Sequence, residues 1–68
     1  MIEHKVGTYW RRNNGAVYKV IEKTGKYGRV HIKFSREVFS RRDYIVLHSS
    51  LSNDTPSTED EYLLSSIQ

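Results

Sequence analysis

The chain of 68 residues has no cysteine, a single proline and no uninterrupted apolar run longer than four residues. Without cysteine there is no disulfide framework, no thiolate nucleophile and no cysteine-ligated metal, so stability must come from packing alone, which suits the cytosol. A membrane span needs about 20 consecutive apolar residues, and charged side chains interrupt every apolar stretch well before that. The opening "MIEHKVGTYW" puts Glu3, His4 and Lys5 where a signal peptide needs its apolar core, so a soluble, cytoplasmic protein is expected. The length leaves room for one small core and no deep cavity for a small-molecule substrate.

Acidic residues are scarce in most of the chain. Residues 1–50 hold all eleven Lys and Arg against four acids (Glu3, Glu22, Glu37, Asp43), a net of +7. Residues 51–68 hold Asp54, Glu59, Asp60 and Glu61 with no Lys or Arg, a net of −4. A basic body with an acidic tail is drawn to polyanions or acidic protein surfaces. The same excess charge also serves plain solubility.

Between residues 9–12 and 16–22 lies Asn13-Asn14-Gly15, and Asn-Gly is preferred where two successive residues need positive φ, so a hairpin is expected. Its second arm, "AVYKVIE", is apolar on both faces, which suggests a strand covered on both sides as in a sheet that closes on itself. "KTGKYG" at 23–28 reads as the next turn. "RVHIKFS" then alternates cleanly, with Val30, Ile32 and Phe34 facing a core and Arg29, His31, Lys33 and Ser35 facing solvent. "REVFSRR" is less regular, with Val38 and Phe39 as anchors in a loop or short strand. "DYIVLHS" is a further strand, with Ile45 and Leu47 on the face opposite Tyr44, Val46 and His48.

After Leu51 the composition shifts to "SNDTPSTED", with little to bury. In "STEDEYLLSSIQ" the pairs Ser57/Asp60 and Thr58/Glu61 fit capping-box spacing, and Leu63, Leu64 and Ile67 form a narrow apolar stripe at helical spacing. The expected organisation is a β-domain at 1–51, a linker at 52–57 and a short acidic helix or flexible tail at 58–68. Such a helix is marginal alone and must dock, meet a partner or fray. The fold class is mainly β: a small SH3-like antiparallel barrel first, or a bent sheet of four to five strands with a short C-terminal helix.

Catalytic constellations are missing. His4, His31 and His48 lie far apart in sequence without neighbouring ligands, so no metal site is expected. There is no nucleophile elbow, no Gly-rich phosphate loop and no carboxylate pair outside the tail, and only Glu22 and Glu37 could serve as buried acids. A non-enzymatic protein without cofactor is expected. What is present is cations interleaved with flat side chains: Tyr9, Trp10, Arg11 and Arg12 on the first arm, Lys19 on the second, Tyr27 in the turn, then Arg29, His31 and Lys33. Arg36, Arg41 and Arg42 form a second cationic group. If the second and third strands pair, Lys19 and Lys33 approach one another, a like-charge contact that invites an anion. Lys and Arg neutralise phosphates while Tyr and Trp stack on bases. Trp10, as the only tryptophan, is better placed in the core than on a stacking platform, as are Tyr18 and Tyr44.

"YWRRNNGAVYKVI" at 9–21 and "VFSRRDYIVL" at 38–47 resemble small β-rich proteins of bacterial viruses and prophages, of SH3-like barrel type, over the first two thirds of the chain. Those proteins share no settled activity, and the resemblance carries no site residues across; it implies an intracellular accessory role in phage biology. The leading expectation is a binding module whose basic face contacts nucleic acid, mainly through backbone phosphates. The alternative is a protein-interaction module, such as a phage-borne inhibitor of a host or defence enzyme, that offers the same face or its C-terminal helix to an acidic partner. A monomer or homodimer fits either, and the tail could dock, mask the basic face or stay disordered.

Overall fold

The computed structural model describes residues 4–23, 28–38 and 40–67. Five strands and one helix follow in chain order: β1 (Tyr9–Arg11), β2 (Val17–Lys23), β3 (Arg29–Val38), β4 (Arg41–Leu47), a 3-10 turn (His48–Leu51), β5 (Thr55–Pro56) and α1 (Glu59–Ser66). The strands form one antiparallel sheet in the order β4-β3-β2-β1-β5. β4 and β5 occupy opposite edges, so the sheet is not closed. The closed barrel gives way to the open five-stranded sheet with a terminal helix.

The first hairpin forms where Asn14-Gly15 places it, by a different turn. Arg12 N–H donates to Ala16 O at 2.8 Å and Gly15 N–H to Arg12 O at 2.9 Å, closing a loop over 13–15. Only Gly15 is left-handed there, at φ 92°, so this is a three-residue loop with glycine at its last position rather than a two-residue turn with both φ positive. Asn14 Oδ1 accepts from Ala16 N–H at 3.0 Å and stiffens it.

β3 runs through Val38 and β4 begins at Arg41, so of the loop or short strand expected at 36–42 the strand is realised, as the end of a long hairpin in which Ser40 takes φ 71°. Phe39 and residues 24–27, which the sequence assigns to a turn, lie outside the described residues. Register shifts between Val20 and Glu22, and between Lys33 and Val38, mark bulges that bend the strands.

Trp10, Tyr18, Val20, Val30, Ile32, Phe34 and Leu51 build the core on one sheet face, with Ala16, Tyr44 and Val46 at its margin. The inward half of the "RVHIKFS" alternation is realised, with Val30, Ile32 and Phe34 inside; the other face is not the solvent face expected, since Arg29 is exposed but His31 and Lys33 are half-buried and Ser35 is buried. Trp10 is inside too, its Nε1–H donating to Thr8 Oγ1 at 2.9 Å. Ile45 and Leu47 point away from this core, whereas Tyr44 and Val46 pack against it.

The stretch 52–57, read as a linker, supplies β5 and the buried Asp54. Ser57 N–H donates to Tyr9 O at 2.9 Å and leads the chain over to the other sheet face, where α1 packs on β2 and β3. Thr58 caps the helix by accepting from Glu61 N–H at 3.2 Å, as its spacing predicts. The helix seats itself through Glu61, Tyr62 and Ser65, all half-buried, and leaves Leu63, Leu64 and Ile67 at least 51% exposed. The apolar stripe is therefore not the docking side. α1 also explains why β2 is apolar on both faces: Val17 and Ser35 are buried on the helix side, a role the sequence had suggested for a closing sheet.

Candidate nucleic-acid interface

On the face opposite the core, strand register aligns Tyr9, Lys19, Lys33 and Asp43 in one row across β1 to β4. Lys19 and Lys33 are direct cross-strand partners, as anticipated from the hairpin. Lys19 Nζ sits 5.7 Å from the centre of the Tyr9 ring, a cation–π contact. Among the described residues, neither lysine has a carboxylate within ion-pair distance. Both are half-buried. Like charges at directly opposed positions of neighbouring strands disfavour the pairing.

Arg11 flanks this row, ion-paired with Glu61 of α1 at 3.1 Å, with both side chains well exposed. Further along β3, Arg29 is exposed and His31 is half-buried, with its Nε2 3.8 Å from Asp43 Oδ1. Tyr62 of α1 lies against Tyr9, ring centres 5.3 Å apart at 57°. Sheet and helix thus enclose a groove of about 590 Å³, lined by Tyr9, Lys19, Lys33, Glu59, Tyr62 and Leu63 among others.

Several cations of the expected surface have internal work instead. Arg12 reaches Ser50 O at 2.9 Å and Asp54 Oδ1 at 3.5 Å, while Asp54 Oδ2 accepts the Tyr18 hydroxyl at 2.6 Å. Burial, and then the Asp54 carboxylate, hold the Tyr18 proton on and raise its pKa far above the ordinary phenol value. This triad, buried at Tyr18 and Asp54 and half-buried at Arg12, ties the first hairpin to the 50–54 segment. Arg42 donates to Phe34 O and Ser35 O, both at 3.1 Å, carbonyls at the edge of the β3–β4 register shift. Arg41 lies 5.2 Å from the Tyr44 ring centre and donates to Asp43 O. Arg36 is exposed. The second cationic group is thus partly folded back on the hairpin. Trp10 faces the core, and Tyr27 lies outside the described residues.

Two clusters escaped the sequence. Glu22 and Glu37 are exposed, and the buried acid is Asp54. His4 and His48, distant in sequence, meet at 3.0 Å between His4 Nδ1 and His48 Nε2, and the His4 ring lies 4.0 Å from that of Trp10. Burial, then the neighbouring His48, lower the His4 pKa. Among the described residues no group of three or more His, Asp or Glu side chains is placed to hold a metal, and no helix is long and apolar enough to cross a membrane.

No family model matches the chain, and no curated protein or solved structure shows significant similarity to it. The resemblance to phage proteins therefore rests on residues 9–21 and 38–47 alone.

Proposed function

We propose that the protein is a non-enzymatic module that binds nucleic acid on the sheet face opposite its core, in an accessory role inside a phage-infected or prophage-bearing cell. The observation that carries this reading is the Lys19–Lys33 pair, half-buried cross-strand partners with no carboxylate at ion-pair distance among the described residues, with Lys19 against the Tyr9 ring. Successive phosphates of a bound strand, one against each ammonium group, neutralise the two like charges that the register sets on neighbouring strands. Arg11 and Arg29 extend the positive field along the backbone of the bound strand, and Tyr9 offers a ring edge for a base. Side chains that reach phosphates carry no base readout, so the binding is weakly sequence-specific. Titration of labelled single- and double-stranded oligonucleotides at low and high salt tests it: affinity should fall steeply with salt, and absence of binding at low salt rejects the reading.

A second reading, a protein-interaction module such as an inhibitor of a host or defence enzyme, draws on one observation. Edge strand β4 carries Ile45 and Leu47 at 58% and 50% exposure, an apolar edge open to strand addition. Ile45→Ser with Leu47→Ser separates the two, since it removes an apolar protein contact there without adding charge opposite Arg29 and His31 and leaves oligonucleotide binding through Lys19 and Lys33 in place.

A further inference from the structure

We infer that α1 is a built-in competitor for the basic face: an acidic lid seated where the nucleic acid binds, which must move aside for binding to occur. This rests on the nucleic-acid reading above and adds its regulation.

The helix is charged for the purpose. Glu59, Asp60 and Glu61 form its first turn; Glu61 pairs with Arg11 at 3.1 Å, and Glu59 lines the groove that also holds Lys19 and Lys33. Carboxylates there occupy, in cis, the region that phosphates would take. The Tyr62 ring likewise covers Tyr9, the side chain that a base would use.

The seating is also weak by construction. α1 buries none of its residues fully, and Leu63, Leu64 and Ile67, the groups that would fix it by apolar burial, face outward at 51%, 59% and 79% exposure. Its contacts with the sheet are an exposed ion pair, one tilted ring pair and the cover it gives Val17 and Ser35. Eight helical residues are too few to persist unaided. The chain that leads from β5 nevertheless keeps the lid beside its site at high effective concentration. A cover of low intrinsic affinity and permanent proximity yields to a polyanion with many phosphates, and excludes anions that offer only one or two charges.

The test compares the unaltered chain with a neutralised lid, Glu59→Gln/Asp60→Asn/Glu61→Gln, and with Tyr62→Ala, which loosens the lid without changing charge. Each is titrated with a labelled oligo-dT strand at low and high salt. Both variants should bind roughly three- to tenfold tighter at low salt, with the advantage of the neutralised lid shrinking as salt rises. In the unaltered chain, backbone amide resonances of residues 59–66 should move on titration. Equal affinities for all three chains overturn the lid and leave nucleic-acid binding standing. Absence of binding by every chain at low salt overturns both.

Discussion

The two faces of the sheet are made by the same strands, and they are held in opposite ways. On one, Trp10, Tyr18, Val20, Val30, Ile32 and Phe34 are all less than a tenth exposed and pack with Leu51. On the other, one residue along in each strand, Tyr9, Lys19, His31 and Lys33 are half-buried under or beside an acidic helix. The first face is held by removal of apolar surface from water, which salt barely touches. The second is held by charge and ring contacts, which salt and competing anions weaken. A strand's period of two lets a single register serve both, so the core fixes the positions of Lys19 and Lys33 while their own side contributes little to stability.

The comparison can be broken most severely from the core side. Ile32→Ala leaves a cavity under a fully buried side chain and should cost about 2–5 kcal/mol, read as a lowered denaturation midpoint; a loss comparable to that of a surface substitution contradicts the assignment of the faces. Tyr18→Phe removes the hydroxyl that Asp54 accepts and should cost about 1–3 kcal/mol, because the carboxylate stays buried with only Arg12 near it.

Acidification gives the next effect. The folded-state pKa of His4 is depressed from its ordinary 6.5, so below that value the unfolded chain takes up the proton more readily than the folded one. Stability is full above the ordinary value and falls as pH drops through and below it. Denaturation midpoints at successive pH values should show this decline, and His4→Gln should flatten it. Smallest of all, Leu64→Ser on the outer side of α1 should change stability by no more than about 0.5 kcal/mol in urea denaturation, since that leucine is 59% exposed.

How far the sequence reveals this molecule depends on the distance between partners. The first hairpin, the inward set Val30, Ile32 and Phe34, the Thr58 cap and the Lys19–Lys33 contact all follow from neighbours or from the pairing of consecutive strands, and each was legible. Asp54 with Tyr18 and His4 with His48 are separated by 36 and 44 positions, and no local pattern marks them. Whether the sheet closes is not legible, for a related reason. Two apolar faces on β2 signal cover on both sides without saying by what, and the cover over Val17 is α1 and not a closing strand. The side on which the helix docks was hidden as well, because Leu63, Leu64 and Ile67 give the stronger periodic signal while Glu61 and Tyr62 find Arg11 and Tyr9. Of the cations, only the chain's tertiary course separates Arg12 and Arg42, tied to Asp54 and to strand carbonyls, from Lys19 and Lys33, which have no such ties.

The most direct measurement is the salt dependence of oligonucleotide affinity for the unaltered chain beside Lys19→Gln/Lys33→Gln. Each phosphate contact contributes close to 0.7 to the slope of log affinity against log salt for a single strand. The double variant should therefore bind more weakly at low salt with a slope shallower by roughly 1.4, while its denaturation midpoint stays the same or rises slightly as the like-charge contact is relieved. An unchanged affinity and slope in the double variant contradict the placement of nucleic acid on this face.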